Sequence, residues 1–162
     1  MIREAVAAAT VPGVVVSLER PDSWLVERGE TTPAFLALQP ENEAGPFRDN
    51  LLVAIEKPAT EQPLDLETAQ SMSRAQALAT VPDYHLIDDR PLEVGGVDGW
   101  FRAAVYSSES MTTVTVRQLF AVHGGVLVTI TLTSFPFRDP ESSELFERVA
   151  ATCSITTEGA EA

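Results

Sequence analysis

A chain of 162 residues with 44% hydrophobic and 22% charged side chains is the size of one domain and too apolar for the disordered class. Eleven basic against 24 acidic side chains leave a formal charge of −13, which repels phosphate backbones and anionic headgroups and argues against nucleic acid and membrane surfaces as partners. The single cysteine, Cys153, excludes an internal disulfide and a cysteine-rich zinc site, and its neighbours Ala150, Ala151 and Ile155 predict a buried, inert thiol.

Residues 1–10 are Ala-rich and read as a short helix or a frayed arm, so residues 1–12 are set apart as an N-terminal arm. They lack a positively charged leader, and Pro12-Gly13 breaks the apolar stretch, from which a cytoplasmic location is expected. No later stretch approaches the roughly 18 to 20 apolar residues of a spanning helix. From Gly13, Val14, Val16 and Leu18 alternate with Val15, Ser17 and Glu19, the period of a strand with one face on the core. Trp24 follows the turn at Arg20-Pro21-Asp22 and is expected to close an edge of the core. Strands are predicted at 33–39 and 50–56, the second stopped by Lys57-Pro58.

The best helix runs over 66–79, with Asp65 as N-cap, Glu67 in the first turn and Pro82 beyond its end. Leu66, Ala69, Met72, Ala75 or Gln76, and Ala79 form a thin apolar stripe that predicts its inward face. Residues 84–89 and 91–94 make one bent strand or two short ones. Gly95-Gly96-Val97-Asp98-Gly99 supplies the glycines of a hairpin, and a strand follows at 100–106. The clearest pair is 113–122 and 126–133 around His123-Gly124-Gly125, with Leu127, Thr129, Thr131 and Thr133 facing outward. Asp139-Pro140-Glu141 then places an N-cap, a proline at the first helical position and an acid in the first turn of a C-terminal helix carrying Leu145, Phe146 and Val149. The expected fold is α+β. It has a mostly antiparallel sheet of six to seven strands, packed by one long and one C-terminal helix, in a single domain at 13–155, with a flexible acidic tail at 156–162.

Several of these segments together resemble the PsbP-like superfamily. Trp24 soon after the first strand, Phe47-Arg48-Asp49-Asn50 opening the third, the Val94-Gly95-Gly96-Val97-Asp98-Gly99 hairpin, Val116-Arg117-Gln118 and the strand at 126–133 carry the likeness over residues 13–155. The group includes the Ran-binding import factor Mog, DcrB and adaptors of type VI secretion effectors, and the nearest resemblance is to the actinobacterial LpqN/LpqT family. It implies an αβα sandwich and, for most members, a non-catalytic protein-binding role. LpqN-type relatives usually carry a lipidated cysteine after a signal peptide, which this chain does not show, so the expectation is a cytoplasmic cousin.

No chemical constellation competes with that reading. His85 lies in a strand near Asp88 and Asp89 at spacings that do not converge on a metal, and His123 reads as a turn residue. Ser107, Ser108 and Ser110 have no neighbouring histidine, and neither Gly-Gly pair sits between a strand and a helix as a nucleotide loop requires. No catalytic residue, cofactor or metal is therefore expected. Trp100, Phe101, Arg117 and Leu119 make up the expected partner surface, on a strand pair whose aromatics point to both faces. The favoured function is a protein-binding or adaptor module, with a basic protein as the partner that the charge would suit; the partner's identity and the oligomeric state stay open. The alternatives are a carrier for a small apolar ligand held between the long helix and the sheet, and a hydrolase using His85 or His123.

Overall fold

The structure is a computed structural model and describes residues 1–30, 33–59 and 61–157. Its Ala-rich start is neither helix nor arm. β1 (Ile2–Ala8) pairs with β2 (Val11–Arg20), whose other edge takes β10 (Ser154–Thr157), giving a three-stranded antiparallel sheet ordered β1-β2-β10. The alternation of β2 puts Val14, Val16 and Leu18 in the core, and a strand so buried needs partners for its backbone groups on both edges. β1 supplies one and buries Val6 and Ala8 in doing so. Thr156 and Thr157, assigned above to the tail, complete the other. Residues 158–162 lie outside the described residues.

The main sheet has seven strands, all antiparallel: β3 (Leu25–Arg28), β4 (Phe35–Leu38), β5 (Asn50–Glu56), β6 (His85–Pro91), β7 (Gly99–Ser107), β8 (Thr113–His123) and β9 (Val126–Ser134), in the order β3-β4-β5-β9-β8-β7-β6. With the helices described below, this is the α+β fold expected from the sequence. The segment at 84–94 resolves into one strand with a bulge at Ile87, followed by a Val94–Val97 bridge. Gly124 and Gly125, at φ +57° and +76°, form the two-residue turn that sets His123 opposite Val126. That register places Ile130 opposite Leu119 and Leu132 opposite Arg117, so the apolar row of β9 shares its face with Arg117 and Leu119, not with Val116 and Phe120. Both rows of β8 are nonetheless buried, because each face of the sheet is covered.

One face packs on the small sheet and on α2 (Asp139–Thr152); the other carries α1 (Leu66–Thr80). The start of α1 is fixed by Asp65, whose Oδ1 accepts the Thr68 N–H at 2.7 Å, and its end by Val81, which donates to Ala77 just before Pro82. The expected inward stripe is rotated. Met72 is 67% exposed, and the row facing the sheet is Ala69, Gln70, Ser73 and Ala77. α2 follows one turn of 3₁₀ helix, Pro136–Arg138, and Asp139 is its first helical residue while Arg138 takes the cap position. Its carboxylate is spent on Arg117 instead of the helix N–H groups. Asp49, from the Phe47-Arg48-Asp49-Asn50 segment, holds this corner: it accepts from Arg138 at 2.6 and 3.0 Å and from the Phe135 N–H at 3.0 Å. Among the described residues no helix is long and apolar enough to cross a membrane.

Candidate functional site

α2 and the small sheet cover the β5, β9 and β8 end of the main sheet but stop short of its edge at β6. The uncovered strip is a groove of about 530 Å³. Its floor is Phe101, Ala103 and Arg117, one wall is Ile87, Asp88, Arg90, Leu92 and Glu93 from β6 and the chain after it, and the other is Ser143, Phe146, Glu147, Ala150 and Ala151. The α2 wall recurs at i, i+3, i+4, i+7 and i+8, one face of a helix whose adjoining row, Ser142, Phe146 and Val149, is buried. A contact closes each end. At one, Arg117 donates to Asp139 at 2.9 Å. At the other, Gly95 at φ +57° abuts the junction of α2 and β10 so closely that a Cβ there would lie 2.8 Å from the Cys153 carbonyl oxygen.

Of the four residues expected on a partner surface, two meet in this groove. Phe101 is 9% exposed, with the Phe146 ring 5.7 Å away and the Arg90 guanidinium 5.0 Å over its own ring. Arg117 lines the groove beside it, and its Nη1 is buried without a hydrogen-bond partner. Leu119 is 2% exposed and belongs to the core, because the register of β8 sets it against Ile130 under the second layer. Trp100 lies on the opposite face, half-buried, donating from Nε1 to Asp89 at 2.5 Å. The residues that sequence reasoning passed over are Ile87, which is 62% exposed, and the α2 row. The helical spacing of Ser143, Phe146, Glu147, Ala150 and Ala151 was the available signal.

The opposite face explains why α1 docks by a polar row. Arg102 rises from β7 and is 1% exposed; its Nε donates to Asp89 Oδ1 at 3.1 Å, and its Nη2 to the Gln70 carbonyl and side-chain oxygens at 2.8 and 2.9 Å. Arg74 donates to the other Asp89 oxygen at 2.6 Å, and the Arg102 guanidinium stacks 5.0 Å from the Phe120 ring centroid. Burial alone would raise the Asp89 pKa, but hydrogen bonds from Trp100 and Arg74, with the charge of Arg102, hold it below its ordinary 3.8. A buried guanidinium demands such partners, and this demand rotates the helix.

The groups considered for catalysis do not converge. His85 lies across from Val105, which pairs with Thr115, eight residues along β8 from His123; at about 3.3 Å per residue the two histidines are separated by roughly 26 Å along the strand direction alone. His123 Nε2 lies 3.2 Å from the Thr157 hydroxyl. Ser108 and Ser110 bond to each other and to Thr112. Among the described residues no group of His, Cys, Asp and Glu is arranged to hold a metal. Burial pushes the Cys153 thiol up to about 11, far from thiolate chemistry at neutral pH. A smaller cleft of about 320 Å³ lies between α1 and the sheet, where Ser73, Gln76, Gln118, Thr131 and Thr133 mix with Ala77, Val81, Val116, Tyr84 and Tyr106.

No family model and no curated protein sequence matches the chain. Solved structures do. LpqN of Mycobacterium tuberculosis, described as involved in cell envelope biogenesis, superposes with a TM-score of 0.73 at 16% identity, covering 96% of this chain and 91% of LpqN. The cyanobacterial PsbP of Synechocystis sp. PCC 6803 gives 0.59 at 14% identity, covering 90% of this chain and 94% of its own. The Ran-binding protein Mog1p of Saccharomyces cerevisiae gives 0.55 at 8% identity, covering 85% and 88%. These likenesses run nearly end to end on both sides, and they establish the fold of this chain as the PsbP-like fold in the form that LpqN also carries.

Proposed function

We propose that this chain is a non-catalytic protein-binding module whose contact surface is the groove between α2 and the β6 edge. The observation that carries the reading is that groove. It leaves Ile87 largely exposed above a floor containing Phe101, and it surrounds the apolar strip with charged side chains. An aromatic and aliphatic centre inside a polar rim is the composition of a protein contact surface, in which a few buried anchors supply affinity and the rim sets orientation. The likeness to the Ran-binding Mog1p supports a binding role for this fold.

The test is affinity capture from native lysate with the unmodified chain and with Ala150→Arg, which places a long charged side chain in the groove. Far-UV circular dichroism and thermal melting check that the variant folds. A stoichiometric protein retained by the first and lost by the second is expected. The same partners on both, or none on either, would move the contact surface elsewhere or remove the binding role.

A further inference from the structure

The groove lies along an edge strand, so the first question is whether a partner could bind by adding a strand to it. Leu92 donates to the Gly99 carbonyl at 2.9 Å, and the two-residue period of the pairing then turns the backbone of Arg90 toward β7 and those of Asp89 and Pro91 outward. Neither outward position offers a donor. The Asp89 N–H is taken by its neighbour's carboxylate, Asp88 Oδ1, at 2.9 Å, and Pro91 has none. The bulge at Ile87 interrupts the register on the other side. A silenced, bulged and charged edge of this kind resists strand addition. The occupant must be held by side chains.

The charge of the rim says which side chains. Asp88 is paired with Arg90 at 3.0 Å and Asp139 with Arg117 at 2.9 Å, so the charge of each groove arginine is matched by a carboxylate, while Arg117 Nη1 keeps no hydrogen-bond partner. Glu93 on one wall and Glu147 on the other are exposed and, among the described residues, have no ion pair or hydrogen bond. The uncompensated charge facing a partner is therefore negative, in a chain of net charge −13. We infer, on the reading that the groove is the contact surface, that its occupant is an amphipathic helix of a partner protein, with an apolar row seated on Ile87, Leu92 and Ala150 over the Phe101 floor and with Lys or Arg side chains reaching Glu93 and Glu147. Helix-in-groove docking requires apolar anchors at i, i+3, i+4 and i+7 and uses no free backbone group of the receptor, the condition this edge imposes. Opposite charge on the two lips orients the helix and speeds its encounter more than it deepens affinity.

The experiment measures fluorescence anisotropy of labelled Leu/Lys peptides of about five helical turns. One has helical spacing, one has the same composition in strict alternation, and one has Glu in place of Lys. Binding to the full chain is expected for the helical basic peptide, with affinity about tenfold weaker in the Glu93→Gln/Glu147→Gln double variant, whose exposed positions leave the fold intact, and weakening further with salt. Ala150→Trp, which fills the groove without charge, abolishes it. Equal or tighter binding of the alternating peptide, preference for the acidic one, or groove-dependent binding to phosphatidylcholine vesicles in place of peptide would overturn the inference. Absence of all peptide binding while lysate capture still yields a partner lost in Ala150→Arg overturns it too, and leaves the binding role standing; loss of both removes the two together.

Discussion

On one face of the seven-stranded sheet, Leu51, Val53, Ile130 and Leu119 meet Val6, Val16 and Leu18 across a dry apolar layer. On the other, α1 reaches β7 and β8 through Gln70, Arg74 and the buried Arg102, with Asp89 at the centre. The first face is held by volume and water exclusion, which have no direction and tolerate similar shapes. The second is held by a few directional bonds to a charge that cannot be left alone. A helix that docks this way has its rotation fixed by its partners, even where another row of its side chains is more apolar.

The largest expected effect comes from removing the centre of the polar face. Asp89→Ala leaves Arg102 buried without its counter-charge and is expected to cost about 3–5 kcal/mol in urea unfolding. A loss below about 1 kcal/mol would mean that Gln70 and solvent satisfy the guanidinium on their own. The same carboxylate sets a pH dependence. Its folded pKa lies below its ordinary 3.8, so its contribution is complete above the unfolded value and disappears as pH falls through the folded one. Acid titration of stability should show that loss below about pH 4 in the native chain, and a flatter profile in Asp89→Asn.

A smaller effect tests the groove end on the dry side. Gly95→Ala must place a Cβ against the Cys153 carbonyl at a positive φ, at an expected cost of about 1–3 kcal/mol. Because the contact pins the hairpin to the α2–β10 junction, the variant should also change peptide binding in the groove, whereas Asp89→Asn on the opposite face should not while it remains folded. The smallest effect separates the two candidate rows of α1. Met72→Glu, on the outward row, should shift stability by no more than about 0.5 kcal/mol; a cost of several times that would mean the helix buries its apolar stripe after all.

Much of the local structure could be read from residue order. The alternation of Val14, Val16 and Leu18, the Gly124-Gly125 turn between two alternating runs, and Asp65 with an uninterrupted run up to Pro82 each carry their signal within a few residues, because pleat, turn and cap are local geometries. Phe101 and Arg117 are legible as surface candidates for the same reason: the strands β7 and β8 that carry them are evident from their period. The pairing of β1 with β2, the second sheet and the burial of Leu119 were not. The β1–β2 hairpin is local, but its Ala-rich strand carries no alternation to announce it; the second sheet and the burial of Leu119 depend on which faces become covered, and coverage is decided by elements more than a hundred residues apart, as when β10 closes on β2.

The sequence by itself determined an α+β chain of antiparallel strands, one long helix and a strongly negative surface, since periodicity, caps and charge are properties of short windows and of composition. Only the tertiary structure decided which row of α1 faces inward, which of the four surface candidates meet, and where an apolar strip is left open. Those outcomes follow from the buried Arg102 and its need for partners, and from how far α2 extends across the sheet, and neither can be computed from a residue and its neighbours in the chain.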